Sequence, residues 1–162
     1  MRAQRAPVFR SMKTLKAFIS ERRPARVVLS NGCFDPLHVG HIRYLEAARA
    51  HGDFLVVALN NDASTRNLKG PGRPVMQAAD RSKLISSLDM VDAVLLFSGR
   101  TVARILRTLR PAVHANGTDY TMDTVPEREL SKALGIETVI VGDPKTHASS
   151  DVMRQIRTSK NR

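Results

Sequence analysis

The architecture follows from residues 26–60, which read RVVLSNGCFDPLHVGHIRYLEAARAHGDFLVVALN. The apolar runs at 26–30 and 54–59 are typical of buried strands, because they are short and rich in β-branched residues. Between them, apolar residues recur at helical spacing over 42–48, and Gly52 stands just past the end of the predicted helix. A strand–helix–strand unit of this kind almost always forms a right-handed parallel crossover.

The alternation of strands and helices continues along the chain. After a polar loop at 61–76, the sequence predicts strands at 93–97, 112–115 and 137–141 and helices at 77–88, 101–109, 126–134 and 150–158, with a short helix at 11–19 before the first strand. Five alternating strands predict an α/β fold with a doubly wound parallel five-stranded sheet, a Rossmann-like architecture. Ligands bind such sheets beyond the carboxyl ends of the strands. That edge would bring together the loops at 31–38, 60–73, 116–120 and 142–150.

The positive charge of the chain is concentrated at its two ends. The formal net charge is +11, of which residues 1–25 carry +6 and residues 154–162 carry +4. Solvated tails and contact with an anionic surface both explain this distribution. We therefore divide the chain into a basic lead with a short helix at 1–25, a folded domain at 26–157 and a basic tail at 158–162.

Composition argues against several classes of protein. No run of 18 or more apolar residues occurs, so no membrane span is expected. Cys33 is the single cysteine, so the chain has no internal disulfide, and we expect a reducing, cytoplasmic location. Aromatic residues make up only 4% of the chain and Trp is absent, which argues against a nucleic-acid partner bound by base stacking.

The loop at 31–41 joins the first buried strand to the helix that follows. Such a junction presents free backbone N–H groups and the positive end of a helix dipole, and both favour phosphate. His38 and His41 are three residues apart and project from one face, while Gly40 leaves room for a ligand. Two donors there suit a phosphoryl group that gains negative charge. A pair of surface histidines that cap the helix is the alternative, and zinc is disfavoured because no third ligand lies nearby.

The same loop carries a family resemblance. Its pattern Gly-x-Phe-Asp-x-x-His-x-Gly-His resembles that of the cytidylyltransferase-like nucleotidyltransferases, and the matching residues are Gly32, Phe34, Asp35, His38, Gly40 and His41. Within that superfamily the chain is most similar to adenylyltransferase domains that act on D-glycero-β-D-manno-heptose 1-phosphate (ADP-heptose synthase domains). Three stretches carry this finer similarity, at 31–35, 60–74 and 116–120. The resemblance implies a Rossmann-like nucleotidyltransferase fold, with 26–157 as the nucleotidyltransferase domain.

The resemblance implies a set of site residues. His38, His41 and Lys69 would be catalytic and would stabilise the α-phosphate and triphosphate during transfer. The nucleotide would be bound by Asn31, Gly32, Cys33, Phe34, Gly40, Arg81, Asn116, Gly117, Asp119, Ser149 and Ser150, and the acceptor by Asp35, Asp62, Arg73 and Tyr120. Taken by their own chemistry, Arg81 would be a surface residue, Asp62 a loop cap, and Ser149 or Ser150 a helix N-cap. The chain departs from the family pattern at Asn116, where a lysine is usual, and at Ala148, where a hydroxyl residue is usual.

The implied reaction needs no covalent intermediate with the protein. The acceptor phosphate attacks the α-phosphorus of ATP in line, and pyrophosphate leaves. Mg²⁺ would accompany ATP and be held mainly by phosphates and water, so no protein metal ligand is named. The expected partners are ATP and a sugar phosphate. Homodimers are common in the superfamily, and the sugar kinase that precedes this domain in bifunctional members would be a separate protein.

Three other functions compete with this hypothesis. A cytidylyltransferase for glycerol 3-phosphate or a similar alcohol phosphate would use the same machinery. A catalytically weak paralogue that senses nucleotide would explain the departures at Asn116 and Ala148. An RNA-binding module would use the basic ends, because class I aminoacyl-tRNA synthetases share a related histidine motif.

Overall fold

The computed structural model describes residues 4–144 and 149–159. Six strands and seven helices follow one another as β1 (Val8–Phe9), α1 (Met12–Arg22), β2 (Val27–Gly32), α2 (Val39–Arg49), β3 (Phe54–Asn60), α3 (Asp62–Lys69), α4 (Ala78–Ser86), β4 (Ala93–Phe97), α5 (Ala103–Leu109), β5 (Val113–Gly117), α6 (Arg128–Ala133), β6 (Glu137–Val141) and α7 (Ser149–Ser159) within these residues. The predicted strands at 93–97 and 137–141 have the bounds that the structure shows.

The strands form one parallel sheet in the order β1-β4-β3-β2-β5-β6. This order confirms the doubly wound α/β fold, because the chain leaves from β2 in both directions. The predicted count of five strands was wrong by one. The additional strand β1 has only two residues, with Val8 opposite Val94, and is too short to produce an apolar period.

Apolar side chains cover both faces of the sheet. Leu45 of α2 and Ile85 of α4 are fully buried in the cluster on one face. Leu15 of α1 and Leu106 of α5 are fully buried in the cluster on the other. Helices therefore cover both faces of the sheet, as a parallel sheet requires.

The basic lead contributes to this core. Ser11 caps α1 by accepting a hydrogen bond from the backbone N–H of Lys13. Phe18 of α1 packs between Phe9 and Phe54, with ring centroids 5.2 and 6.3 Å away. The lead thus extends the sheet by one strand and covers part of one face, while the charged side chains of residues 4–25 are exposed.

The segment 61–76 differs from the prediction of a continuous polar loop. Its first half is α3, whose N-cap Asn61 accepts from the backbone N–H of Ser64 at 2.8 Å. The helix escaped detection because it has no apolar stripe: polar Ser64 and Thr65 are the residues it buries. The loop proper begins at Gly70, whose φ of 93° favours glycine.

None of the helices in residues 4–144 and 149–159 combines the length and hydropathy needed to cross a bilayer.

Candidate active site

An open cleft of about 610 Å³ lies at the carboxyl ends of the strands. The loop after the central strand β2 brings His38 and His41 into it. On one side of this loop is the β3–β4 arm, defined by Asn60, Leu68, Lys69, Phe97 and Arg100. On the other side is the β5–β6 arm, defined by Gly117, Thr118, Asp119, Tyr120, Gly142 and Ser150.

The two motif histidines stack at the start of α2. Their ring centroids are 3.8 Å apart and their planes are inclined by 27°. His38 is the N-cap, and its Nδ1 accepts from the backbone N–H of Gly40 at 3.1 Å. Nδ1 of His41 accepts from the backbone N–H of His38 at 3.2 Å. Each ring is therefore fixed by the backbone of the helix start, as in a capping box.

These hydrogen bonds determine which ring nitrogen of each neutral histidine carries the proton. A ring whose Nδ1 accepts a hydrogen bond carries its proton on Nε2 when neutral. Burial, followed by the charges of His38 and Lys69, lowers the pKa of His41 to about 3, while Asp119 acts in the opposite direction. His41 is therefore neutral at pH 7, and its Nε2–H is a hydrogen-bond donor.

Phe34 explains why the motif requires its glycine and its phenylalanine. Its ring is buried and meets the ring of His41 edge-on at 5.0 Å between centroids. A Cβ on Gly32 would stand 3.1 Å from the Phe34 ring, so a larger residue there would displace it. The Phe34 ring thus packs against the His41 ring, and the lack of a side chain at Gly32 leaves space for the Phe34 ring.

Asp35 and Arg73 are bonded to each other. The buried Asp35 carboxylate accepts from Arg73 Nε and from the backbone N–H groups of Val75 and Met76, each at 2.8 Å. Burial alone would raise the pKa of Asp35, but these bonds and the Arg73 charge together lower it below its ordinary value. Both residues line the cleft, and their polar groups hold the loop at 70–76 against the loop at 31–38, which we call the phosphate loop.

Arg81 corrects one prediction. Its side chain is fully buried, so the surface position expected from its own chemistry is wrong, and it is not among the residues that line the cleft. The guanidinium donates to the carbonyls of Cys33 and Asn60 at 2.7 and 2.8 Å and to Met76 O at 2.8 Å. Its fourth bond, at 2.7 Å, reaches Asp62 Oδ1.

Asp62 is held by the same network. The oxygen that meets Arg81 also accepts from the backbone N–H of Ala78 at 2.8 Å. Asp62 lies outside the lining of the cleft, so its carboxylate joins α3 to α4. The structure thus places it in the loop-capping role and away from the predicted acceptor contacts.

Three other predicted nucleotide contacts behave differently from one another. Asn116 is buried, donates to the carbonyl of His114 at 3.4 Å and does not line the cleft. Ser150 does line it. Because α7 already begins at Ser149, Ser150 is inside the first turn and is not the N-cap. The side chain of Ser149 and the whole of Ala148 lie outside the described residues.

The cleft therefore gathers most of the predicted site. Of the residues named from sequence, it is lined by Asn31, Gly32, Cys33, Phe34, Asp35, His38, Gly40, His41, Lys69, Arg73, Gly117, Asp119, Tyr120 and Ser150. Sequence analysis missed Asn60, Phe97 and Arg100. The position of Arg100 could have been predicted, because the segment 98–101 follows a correctly predicted strand and so lies at the same edge of the sheet as the other loops of the cleft.

The described residues hold no preformed metal cage. In 4–144 and 149–159, no group of three or more His, Cys, Asp or Glu side chains could hold a metal ion. Asp119 and Asp143 both line the cleft, but Asp143 pairs with Arg43 at 3.0 Å.

Comparison with known sequences gives a consistent result. A family model described as cytidylyltransferase-like matches residues 29–162. The Bifunctional protein HldE of Geotalea uraniireducens is 44% identical over 138 residues, which are 84% of this chain and 28% of that protein. The protein of the same name from Methylobacillus flagellatus is 43% identical over 131 residues, 81% of this chain and 27% of its own length. The chain thus spans less than a third of these relatives.

Solved structures show the same fold. A lipopolysaccharide core biosynthesis protein from Thermoplasma volcanium matches with a TM-score of 0.63 and 28% identity, covering 74% of this chain and 98% of its own. A pantothenate synthetase from Thermus thermophilus matches with a TM-score of 0.69, covering 96% of this chain and 70% of its own, but at 18% identity it supports the fold alone.

Proposed function

Because the chain belongs to the cytidylyltransferase-like family and is a nucleotidyltransferase, we propose that it transfers AMP from ATP to D-glycero-β-D-manno-heptose 1-phosphate. The products are ADP-heptose and pyrophosphate. The observation that carries the proposal is the stacked pair of His38 and His41 at the start of α2, inside the cleft. The similarity to proteins named HldE and to a lipopolysaccharide core biosynthesis protein supports a sugar-phosphate acceptor.

In this reaction the histidines act as hydrogen-bond donors. An oxygen of the acceptor phosphate attacks the α-phosphorus in line, and the bond to the pyrophosphate oxygen breaks. The Nε2–H of neutral His41 and that of His38 donate to the α-phosphate oxygens, on which negative charge gathers. The N-terminus of α2 adds backbone N–H groups and a favourable dipole.

Two further groups act beside them. Lys69 lies close enough to His41 to depress the pKa of His41, and its ammonium supplies a positive charge for the α-phosphate oxygens of the triphosphate. Mg²⁺ is expected to enter as its complex with ATP, where it neutralises phosphate charge. Cys33 has no role as a nucleophile, because the acceptor phosphate itself attacks.

The departure from the family pattern at Asn116 weighs little against activity. This residue is buried and its side-chain amide points to the carbonyl of His114, so it does not line the cleft. The lining of the cleft keeps both histidines and Lys69. The weak-paralogue hypothesis is tested by the activity panel that follows.

The test is pyrophosphate release with Mg²⁺, using ATP or CTP and a panel of acceptors. The panel holds heptose 1-phosphate, other sugar 1-phosphates, glycerol 3-phosphate and phosphopantetheine. We expect turnover with ATP and heptose 1-phosphate, and loss of it in His38→Ala. His51→Ala is the matched control, because His51 is a histidine outside the cleft lining. Preferred turnover with CTP or another acceptor would overturn the substrate assignment, and silence with bound ATP would favour a nucleotide sensor.

A further inference from the structure

Arg100 is an exposed cation in the cleft that the proposed reaction has not used. It lies in the loop 98–101, which follows β4 and lines the β3–β4 arm. It takes part in no ion pair with another described residue. A guanidinium forms paired hydrogen bonds with phosphate oxygens, so Arg100 is suited to a cleft proposed to bind phosphates.

The backbone before Arg100 is held in place. The N–H of Gly99 donates to Ser64 Oγ at 2.8 Å, and the Gly99 carbonyl accepts from Asn60 Nδ2 at 3.0 Å. The carbonyl of Phe97 accepts from the N–H of Asn61 at 2.9 Å. The loop is thus fastened to the end of β3 and the start of α3, which gives Arg100 a fixed base.

The two arms of the cleft differ in charge. The β3–β4 arm contains Lys69 and Arg100 and no carboxylate, whereas the β5–β6 arm contains Asp119. The nearby Asp35 carboxylate is buried and bonded to Arg73. A second anion is therefore stabilised better in the β3–β4 arm.

In-line transfer places the attacking and leaving oxygens on opposite sides of the α-phosphorus. The β5–β6 arm suits the leaving pyrophosphate, because Ser150 in the first turn of α7 lines it and the N–H groups of a helix start favour phosphate. The attacking group then comes from the other arm. The geometry points to the β3–β4 arm as the site of the acceptor, with Arg100 binding its phosphate monoester.

This assignment rests on the proposed transfer to a sugar 1-phosphate and names the residue that selects for the phosphate. It replaces Arg73 as the acceptor-binding arginine, because Arg73 is bonded to Asp35. The side chain at position 100 then determines how well a phosphorylated acceptor binds, and has little influence on ATP.

The test compares Arg100→Ala and Arg100→Lys with the control Arg104→Ala. Arg104 is exposed on α5, one turn further along the chain, and does not line the cleft. In Arg100→Ala we expect the KM for heptose 1-phosphate to rise at least about tenfold, while the KM for ATP stays within about twofold. Arg100→Lys should fall between wild type and Arg100→Ala, since a lysine keeps the charge and loses the fork.

A binding measurement separates failure of this inference from failure of the proposed function. Heptose 1-phosphate is titrated calorimetrically into wild type and Arg100→Ala, each saturated with α,β-methylene-ATP. If wild type does not bind it, the substrate proposal fails, and inorganic phosphate is titrated instead as the probe of the same arm. Weaker binding of the probe to Arg100→Ala supports the assignment. Equal binding to both proteins, or a rise in the KM for ATP in place of the acceptor, overturns it.

Discussion

His38 and His41 act as hydrogen-bond donors, and the geometry explains why His41 does so in its neutral form. Two rings with centroids 3.8 Å apart do not both carry a proton without strong repulsion, and burial already lowers the pKa of His41 to about 3. Their Nδ1 atoms are engaged by backbone N–H groups. Each ring therefore offers the substrate one hydrogen-bond donor, its Nε2–H, and the position of this donor is fixed before the reaction begins.

Replacement of His41 by alanine should lower kcat/KM by at least about a hundredfold, because one preorganised transition-state donor is lost. His41→Ala should retain the wild-type circular dichroism spectrum, since the ring lies at the edge of the core. Pyrophosphate release measured beside His51→Ala checks this. Turnover near that of wild type would remove His41 from the catalytic residues.

The buried His114 should make the fold sensitive to acid. Its Nε2 lies 2.9 Å from Asn31 Oδ1, and burial lowers its pKa to about 4. The unfolded chain takes up this proton near its ordinary pKa of about 6.5, so stability is fully present above that pH and is lost as the pH falls towards 4. Urea unfolding at about pH 7 and about pH 4.5 should show this loss.

The matched variant is His114→Gln, which keeps a donor for Asn31 and does not titrate. Between these two pH values, wild type should lose about 2 kcal/mol more stability than the variant. Equal losses in the two proteins would show that His114 is not the titrating group.

At the scale of elements, Arg81 holds together the segments that build the cleft. Its guanidinium joins the phosphate loop at Cys33, the end of β3 at Asn60 and the loop at Met76. Asp62 ties it to α3. Sequence analysis missed this role because three of the four acceptors are backbone carbonyls, which leave no pattern in the side chains.

Arg81→Met should lower the free energy of unfolding by at least about 3 kcal/mol, because buried carbonyls and a carboxylate lose their donors. It should also raise the KM for both substrates, since the loop at 31–38 and the end of β3 depend on it. Urea unfolding and steady-state kinetics measure the two effects. Lys83→Met, at an exposed position of the same helix, is the control. Unchanged stability in Arg81→Met would mean that the loops are held by other contacts.

Motifs whose geometry depends on neighbouring residues could be predicted from the sequence. Contacts between residues far apart along the chain could not. The spacing of His38 and His41 fixes their common face, so the sequence placed them correctly at the start of α2. The α3 helix was missed because it buries Ser64 and Thr65 in place of apolar residues. The partnership of Asp35 with Arg73 spans 38 positions and depends on how the loop at 70–76 folds back.

At the scale of the whole molecule, the N-terminal segment completes the sheet. The short run at β1 gave no strand signal, yet it pairs with β4 and is followed by a helix that buries Leu15 completely. The seven cations of residues 1–25 hid this contribution, because they mark the segment as solvated. The apolar side of α1 was visible in the sequence, but its packing partners on β3 and β4 were not.

Leu15→Ala should therefore destabilise the whole domain by about 2 to 5 kcal/mol, the range for a large-to-small change in a core. Lys16→Ala, the exposed neighbour on the same helix, should change stability by less than about 0.5 kcal/mol. Urea unfolding followed by circular dichroism compares the two. A small effect of Leu15→Ala would show that the N-terminal helix is not part of the cooperative unit.

Arg81 binds mostly main-chain carbonyls, and this affects how the acceptor preference could change in evolution or be engineered. A carbonyl oxygen remains available whichever side chain its residue carries, so Met76 can be exchanged without loss of the bond from Arg81. Insertions or deletions at 70–76 would move that carbonyl and break the bond. A mutant library for new acceptors should therefore randomise the other side chains in this loop at constant length, and keep Arg73 and Arg81 fixed.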